Sequence, residues 1–321
     1  MREPETATQP SPAPSLVIRS DALPMVILNP VSNNGRAARL RRPLERALTG
    51  GRGELALTTA RGDATRLAAE AARAGRPVVA VGGDGLIHEA AEGVLSSGVT
   101  VPFGVIPAGN GNDFATYVAF APTDMTHALE VALTAPIQMM DVGVINGRHF
   151  VNAISVGLDA NVSIASERFK RLGFRGQALY MTSALSELLF HYDGCPTLTV
   201  QCDDAEPIHH EFVLVAVSIG PAYGGGFMIN PGADPQDGLF DVCIIRKPHV
   251  LRALRLLPVV ERGEHLSEPE VTIVRARRVS LATAKPANSQ EDGEISSDTR
   301  FEVAIRPGAL ALRRGTPPDR R

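Results

Sequence analysis

The chain is poor in cysteine and lacks any long hydrophobic run. Its three cysteines, Cys195, Cys202 and Cys243, are odd in number and show no CxxC spacing, which argues against a disulfide framework and against a zinc cluster. The longest apolar stretches, such as FVLVAVSIG at 212–220, are much shorter than the ~20 residues that a membrane-spanning helix needs. We therefore expect no transmembrane segment.

The sequence also lacks a strong net charge. It carries 32 Lys and Arg against 35 Asp and Glu, and 44% of its 321 residues are hydrophobic. A protein that neutralises nucleic-acid phosphates needs a basic face, so we expect no nucleic-acid partner. The start, MREPETATQPSPAPS, has acids and prolines where a signal peptide has basic and apolar residues. This predicts a disordered tail over residues 1–22 and a cytoplasmic protein.

In the first half of the chain, short apolar runs alternate with longer helical patterns. The runs MVILN, ELALT, PVVAVGG and VPFGVIP are separated by AARLRRPLERAL, DATRLAAEAARAG and LIHEAAEGVL. Strands that alternate with helices predict a parallel sheet with helices on its faces. We therefore predict an α/β domain with a parallel, Rossmann-like sheet over residues 23–141.

In the second half the pattern becomes mainly strand-like. The dipeptide Asn146-Gly147 between two alternating runs indicates a two-residue hairpin. The segments EFVLVAVSIG, LFDVCII, EVTIVRARRVSLAT and FEVAIRPGALAL are typical of strands, with helices expected near 176–190 and 249–260. We predict a mainly antiparallel β-sandwich domain over residues 142–313, followed by a loose tail over 314–321.

Three unusual loops follow strands of the predicted parallel sheet: NPVSNNG at 29–35, GGDG at 82–85 and PAGNGND at 107–113. Ligands of such sheets bind beyond the carboxyl ends of the strands, and glycines before a helix let backbone amides approach a phosphate. Asp84 would repel a phosphate unless a divalent metal or a reacting hydroxyl lies between them. The loops predict a phosphate site; a tight turn with a helix-capping aspartate is the alternative.

Two common nucleotide-binding motifs, GxxxxGK[ST] and GxGxxG after the first strand, are absent. Five other motifs occur in order: NPVSNNGRA, GGDGLIHEA, IPAGNGNDFA, DGLFDV at 237–242 and EDGEI at 291–295. Over residues 25–310 this set resembles the diacylglycerol kinase catalytic family, which includes bacterial lipid kinases and sphingosine and ceramide kinases. The resemblance implies a two-domain enzyme that transfers the γ-phosphate of ATP to a lipid hydroxyl in a cleft between the domains.

The resemblance also implies roles for individual residues. Asp84 matches an aspartate regarded as the base in the sphingosine kinase branch, Glu294 matches the proton acceptor of the bacterial branch, and Asp292 is a further catalytic candidate beside it. A structural Mg²⁺ would be held by Asp237 with backbone carbonyls near Asp234 and Leu239, separate from the Mg²⁺ that accompanies ATP. The positions expected to bind ATP are Asn29, Ser32, Thr58, Gly82, Gly83, Asp84, Gly85, Leu86, Ile87, His88, Gly109, Asn110 and Asn112.

The sequence departs from the family pattern at Asn33, where NPxSG has glycine, and at Asn110, where PxGTxND has threonine. Leu86 and His88 are closer to the sphingosine and ceramide kinases, whereas NDFA at 112–115 is closer to the diacylglycerol kinases. We predict a lipid kinase acting on diacylglycerol, with a sphingoid base as the alternative acceptor. An NAD kinase, which shares a GGDG loop, is a further alternative, and the departures at Asn33 and Asn110 favour a noncatalytic nucleotide-binding regulator as a third.

The expected partner is a lipid substrate at a membrane surface, with which the protein would associate peripherally. Leucines flanked by arginines in HVLRALRLLPVV at 249–260 fit either contact with anionic lipid or a helix that faces the core. We also consider a homodimer.

Overall fold

A computed structural model describes residues 16, 17, 19, 22–171, 174 and 176–317. The predicted N-terminal tail therefore lies mostly outside the described residues, as do residues 318–321. The described part of that tail contacts the first half of the chain, because Val17 N donates to Thr100 O at 2.8 Å.

The first half contains four strands that pair in parallel in the order β2-β1-β3-β4. The strands are β1 (Met25–Leu28), β2 (Glu54–Leu57), β3 (Val78–Gly82) and β4 (Phe103–Pro107). The helices are α1 (Arg41–Ala47), α2 (Asp63–Arg73), α3 (Asp84–Ser96) and α4 (Met125–Thr134), with a 3-10 turn at Arg36–Leu40 and a π-helical turn at Phe114–Val118. Because the strands are parallel, the loops that follow them meet at one edge of the sheet.

The second half is built mainly from antiparallel strands. They are β5 (Ile137–Ile145), β6 (Arg148–Phe150), β7 (Ala153–Gly157), β8 (Thr197–Cys202), β9 (Ile208–Ser218), β10 (Phe240–Arg246), β11 (Val271–Ala276), β12 (Arg278–Glu291) and β13 (Glu294–Arg313). The antiparallel order is β11-β10-β9-β7-β12-β13-β5-β6, and β8 pairs with both β9 and β12. Strand β13 also pairs with β4 at Leu312–Phe103, which joins the two halves.

Three helices accompany these strands: α5 (Leu158–Arg171), α6 (Gly176–Phe190) and α7 (Val250–Glu261), with 3-10 turns at Tyr192–Gly194 and His265–Ser267. Each half has an apolar core, and the core of the first half also includes Val151 and Leu310 of the second. Ile27, Ile87 and Phe103 are buried in the first half, whereas Phe212 and Phe301 are buried among the strands of the second. The predicted two-part arrangement is therefore confirmed.

The predicted hairpin after β5 is present. Asn146 and Gly147 join β5 to β6, and both have a positive φ, 47° and 85°. Two consecutive left-handed residues make the turn that matches the twist of the flanking strands. A short local signal therefore predicted this feature correctly.

Helix α5 was not predicted. The segment AISVGLDANVSIAS contains the strand β7 and the start of α5, and its apolar residues fit no clear period. In the structure Leu158, Val162 and Ala165 are buried, and α5 packs against α6 and against the distant strand β12. Packing between distant segments thus decided an element that local periodicity left ambiguous.

Helix α7 faces the core. Ala253 and Leu256 are buried, and the Arg252 guanidinium donates to Glu270 at 3.0 Å, so this arginine is engaged within the protein. The core-facing interpretation of HVLRALRLLPVV is therefore the better one. Among the described residues, no helix has the length and apolar content needed to cross a membrane.

The predicted loose C-terminal tail begins with two anchored residues. Arg314 Nε donates to Val118 O at 2.7 Å, and Gly315 N donates to Ala119 O at 2.9 Å. The prediction of a loose tail from residue 314 is therefore wrong for these two residues, because their hydrogen-bond partners come from a segment that is distant in the sequence.

Candidate active site

A cleft with a volume of 520 Å³ lies between the two halves. Its first-half wall comes from the loop after β4 and the start of α3, and its second-half wall comes from α5, α6 and the loops around them. The polar residues that line it include Asp84, Asn110, Asp113, Asn152, Ser163, Ser166, Tyr180, Tyr223, Gln290 and Asp292. Carboxylates from both halves thus meet in one cavity.

Two glycine loops of the first half contact each other through their backbones. A Cβ atom on Gly109 would lie 2.3 Å from Gly83 Cα, so no side chain fits there. Ala108 N donates to Gly82 O at 2.7 Å, which continues the pairing of β3 with β4. The structure therefore brings the GGDG loop and the loop at 107–113 together at the carboxyl edge of the sheet.

Asp84 binds the neighbouring loop. Its carboxylate accepts hydrogen bonds from Asn112 N at 2.8 Å and from Phe114 N at 3.0 Å. Burial raises the pKa of Asp84; the two backbone donors oppose that shift, and the charge of Asp292 adds to it. Asp84 therefore fixes the loop after β4 while facing the cleft.

Asp113 is a cleft residue that the sequence prediction missed. It is buried, and its Oδ2 accepts a hydrogen bond from Gly225 N of the second half at 2.8 Å. Burial and the charge of Asp84 raise the pKa of Asp113 to about 6, against the effect of its backbone donors. Asp113 follows Asn112 in the motif IPAGNGNDFA, and the sequence prediction included only the asparagine. The adjacent acid in this motif could have indicated a site residue.

The same contact explains the three glycines at 224–226. In the sequence this run suggests a flexible loop, yet Gly224 and Gly225 line the cleft and Gly225 carries the donor to Asp113. All three have a positive φ, between 68° and 98°, a backbone that other residues rarely adopt.

Several predicted ATP-binding residues have other contacts in the structure. The Asn112 side chain accepts from Gly109 N at 2.7 Å and donates to Gly109 O at 3.1 Å, so it stabilises its own loop. Leu86 and Ile87 are buried in the core, which leaves only their backbone for a ligand. Asn110 is exposed and lines the cleft.

Three further residues that were predicted to bind ATP follow the strands β1 and β2. Asn29 Oδ1 accepts from Val31 N at 3.1 Å, and Ser32 N donates to Asn29 O at 3.2 Å. Thr58 is buried at the end of β2. The described residues that line the cavity do not include Asn29, Ser32 or Thr58, although the parallel sheet places all three at the same edge as the GGDG loop. Of that loop, Gly82 is buried whereas Gly85 is exposed.

Asp292 has a saturated carboxylate. It accepts from the backbone N–H groups of Val151 at 2.7 Å and of Asn152 and Ala153 at 3.0 Å. Its Oδ2 also lies 3.1 Å from His88 Nδ1, and its side chain is 3% exposed. Asp292 is therefore positioned to hold the second-half wall in place.

His88, which was predicted to bind ATP, contacts Asp292 of the other half in this structure. Burial opposes a charged imidazolium, but the hydrogen bond and charge of Asp292, with the charges of Glu294 and Glu92, raise the pKa of His88 above its usual value. His88 thus links α3 to the acidic turn of the other half.

Glu294 lies at the rim of the cleft. Gly293 and Ile295 are among the described residues that line the cavity, whereas Glu294 is not. Its Oε1 lies 2.7 Å from the Arg61 guanidinium, and its side chain is 30% exposed. The two acids of the DGE motif therefore differ in environment. Asp292 is buried and accepts three backbone hydrogen bonds, whereas Glu294 pairs with an exposed arginine.

The carboxylates of the predicted structural Mg²⁺ site have protein partners in this structure, and the site, which would also use backbone carbonyls, stays a prediction. Asp237 pairs with the Arg275 guanidinium through one oxygen and accepts from Leu239 N at 2.9 Å through the other. Asp234 accepts from Gln236 N at 3.1 Å. Within the described ranges no group of three or more His, Cys, Asp or Glu side chains could hold a metal ion. Arg275 supplies the positive charge at this loop.

Comparison with known protein families gives two matches that together span most of the chain. Residues 24–145 match the diacylglycerol kinase catalytic domain, and residues 152–314 match the YegS C-terminal NAD kinase beta sandwich-like domain. The chain belongs to the diacylglycerol kinase catalytic family. This confirms the predicted family and, with it, the predicted enzyme class of lipid kinase.

Individual relatives of this lipid kinase agree with the assignment. A diacylglycerol kinase of Mycobacterium tuberculosis is 30% identical over 254 residues, 77% of this chain and 80% of the relative. A "probable lipid kinase YegS-like" protein of Pseudomonas syringae pv. tomato is 33% identical over 266 residues, 81% of this chain and 83% of the relative. The crystal structure of a diacylglycerol kinase from Bacillus anthracis is similar in fold, with a TM-score of 0.70 at 20% identity, and the match covers 92% of this chain and 98% of that one.

Proposed function

We propose that this lipid kinase transfers the γ-phosphate of ATP to the hydroxyl group of diacylglycerol. The observation that carries the proposal is the cleft between the halves, where Asp84 and Asp113 face Asp292 and the rim residue Glu294. The names of the curated relatives support diacylglycerol as the acceptor.

The first half, residues 23–141, would act as a Rossmann-like nucleotide domain, and residues 142–313 would form the lipid-binding domain. The packed loops around Gly83 and Gly109 offer exposed backbone at a helix N-terminus, which suits phosphate groups. Asp84 and Asp113 repel each other in a buried site, so they fit the Mg²⁺ that accompanies ATP, which supplies charge neutralisation for phosphoryl transfer.

Glu294 is the best candidate for the proton acceptor. Asp292 and Asp84 use both carboxylate oxygens for hydrogen bonds within the protein, whereas the described partner of Glu294 is an exposed arginine. In the proposed step, the lipid hydroxyl gives its proton to the Glu294 carboxylate, its oxygen bonds to the γ-phosphorus, and the bond to the ADP oxygen breaks.

An apolar cavity beside the cleft supports a lipid acceptor. It lies beneath α5, α6 and α7 and is lined by Leu158, Leu188, Phe227 and Leu257, among others. Tyr180 lines both this cavity and the cleft. A hydrocarbon chain could therefore enter beside a hydroxyl group held in the cleft.

The experiment that tests the function is the transfer of labelled γ-phosphate from ATP, with Mg²⁺, to diacylglycerol, sphingosine, ceramide and NAD. Label in phosphatidic acid is expected. Label in a sphingoid product would change the acceptor, and label in NADP alone would contradict the lipid proposal.

Peripheral binding to a bilayer is proposed through the outer face of α6. Leu185, Leu189 and Phe190 are 42%, 52% and 76% exposed there, whereas Glu187 of the same helix is buried and pairs with His191. Exposed apolar side chains on a surface helix favour a lipid interface, and α6 also lines the cleft through Leu179 and Tyr180.

The double variant Leu189→Ser and Phe190→Ser is expected to lose most sedimentation with phospholipid vesicles while keeping its fold. Leu251→Ser, which changes an exposed leucine on α7 (60% exposed), is the matched control and should sediment as the wild type does. Equal loss in both proteins would contradict the proposed face.

A cytoplasmic location and a homodimer remain predictions; light scattering would test the second.

A further inference from the structure

Arg61 lies on a loop whose backbone is held from both sides. Asp63 accepts hydrogen bonds from Thr59 N at 2.8 Å, from Thr59 Oγ1 at 2.7 Å and from Ala60 N at 3.0 Å. Gly62 N donates to Glu89 Oε2 of α3 at 3.0 Å. Because the residues on each side of Arg61 are anchored, its side chain is the part of this loop that can move.

The Arg61 side chain is 78% exposed and crosses from the first half to Glu294 of the second half at 2.7 Å. Exposed ion pairs of this kind are weak, since solvent screens both charges. A ligand with more negative charge than one carboxylate can therefore take the guanidinium away from Glu294.

ATP brings such a ligand to this edge of the sheet. The loop of Arg61 follows β2 at the same carboxyl edge as the GGDG loop, where the phosphates are proposed to bind. Guanidinium groups bind phosphate oxygens in bidentate geometry, which strengthens that contact relative to a single-point pair. Arg148 of the second half is paired with the buried acid Glu291 at 2.7 Å, whereas the partner of Arg61 is partly exposed, so Arg61 is the more available cation.

We propose that Arg61 is a positioning residue that couples ATP binding to the release of Glu294. Without nucleotide its guanidinium holds the Glu294 carboxylate; with ATP it binds the polyphosphate, and Glu294 becomes available to accept the proton of the lipid hydroxyl. This inference rests on the proposed function. Its consequence is that the proton acceptor is more available when the phosphate donor is present.

Coupling of this kind is reciprocal, so it can be measured by ATP binding alone. If Glu294 and ATP compete for Arg61, removing the charge of Glu294 must strengthen ATP binding. By calorimetry with MgATP, Glu294→Gln is expected to bind about two- to fivefold more tightly than wild type, the range of exposed ion pairs. Arg61→Gln is expected to bind more weakly than wild type.

A double variant tests whether Glu294 affects ATP binding through Arg61. Arg61→Gln with Glu294→Gln is expected to bind MgATP as weakly as Arg61→Gln alone, because the gain from Glu294→Gln requires the arginine. An equal gain in both backgrounds would show that Glu294 acts only through general repulsion and would overturn the coupling. No gain in either background would overturn it as well.

Controls separate the coupling from general charge and from structural effects. Glu92→Gln removes a negative charge from α3 at an acid whose partner is His149, and it is expected to leave the effect of Arg61→Gln on MgATP binding unchanged. Arg61→Lys should recover part of the coupling. With AMP in place of ATP the effects of Arg61→Gln and Glu294→Gln should shrink, since Arg61 is proposed to bind the polyphosphate.

Kinetics give an independent readout. Arg61→Gln is expected to raise the KM for ATP severalfold while kcat at saturating ATP stays close to wild type; a fall in kcat with unchanged KM would overturn the assigned role. The two proposals fail differently. Labelled lipid without coupling would contradict this inference alone, whereas coupled ATP binding without labelled lipid would contradict the proposed acceptor alone.

Discussion

The two walls of the cleft hold their acids in different ways. On the first-half wall, Asp84 and Asp113 are tied to backbone N–H groups of neighbouring loops, and burial raises the pKa of both. On the second-half wall, Asp292 receives three backbone donors, while Glu294, two residues later, meets only the exposed guanidinium of Arg61 among its described partners. On the first-half wall both acids are thus held by backbone donors. The second-half wall combines an acid held in this way, Asp292, with one held only by an exposed side chain, Glu294.

This difference separates positioning from chemistry. Backbone donors orient a carboxylate and favour its charged form, and they leave fewer of its lone pairs for a substrate hydroxyl. A carboxylate held by a mobile cation can be released. The comparison therefore supports the proposed role of Glu294 in proton transfer and a proposed role for Asp84, Asp113 and Asp292 in holding loops and ligands.

The largest expected effect is that of Glu294→Gln. Removing the proton acceptor should lower kcat by ~10²-fold or more, the usual contribution of general base catalysis, while the free energy of unfolding changes little because the side chain is at the rim. Phosphoryl transfer to diacylglycerol and chemical denaturation measure the two quantities. A loss of activity below threefold would place the base elsewhere.

Asp292→Asn is the matched change on the same turn. The amide NH₂ would face backbone donors now served by a carboxylate oxygen, so the free energy of unfolding should fall by roughly 1–3 kcal/mol. If this variant were as stable as wild type and Glu294→Gln were destabilised, the contrast between the fixed and the movable acid would be reversed.

A smaller effect is expected from pH on the first-half wall. The pKa of Asp113 is raised to about 6, so this carboxyl gains a proton and loses its negative charge as the pH falls through that value. The affinity of the enzyme for MgATP should then decrease, and its KM for MgATP should rise severalfold as the pH is lowered from 7 to 5.

Asp113→Asn should remove most of this pH dependence and show a high KM throughout. Asp298→Asn, on an exposed part of β13, should keep the wild-type profile. A wild-type KM that is constant over this range would contradict a nucleotide role for Asp113.

The smallest effect concerns the acidic loop outside the cleft. If the Arg275–Asp237 pair stabilises this loop in place of a metal ion, EDTA should not change the denaturation midpoint of the wild type. Arg275→Gln should lower the free energy of unfolding by about 1 kcal/mol or less, as for other exposed pairs. Arg278→Gln, which removes a pair with the exposed Asp204, is the control. A wild-type midpoint that falls with EDTA and recovers with Mg²⁺ would support the structural Mg²⁺ site instead.

Much of the fold follows from local patterns. The alternation of strands and helices before residue 140, and the Asn146-Gly147 turn, each depend on neighbours in the sequence, so they could be predicted. Helix α5 could not, because its burial depends on α6 and on strands far along the chain. The anchoring of Arg314 by Val118 has the same cause.

The candidate site divides in the same way. By itself the sequence determined the family and the loops in which the acids lie, because ordered motifs and glycine turns are local features. Only the tertiary structure decided what each acid does. It placed backbone donors on Asp84 and Asp292, brought Gly225 to Asp113, set Arg275 against Asp237 and carried Arg61 across to Glu294. These partners are separated from the acids by 28 to 233 residues, and only packing determines which distant groups share a dry or a solvated environment.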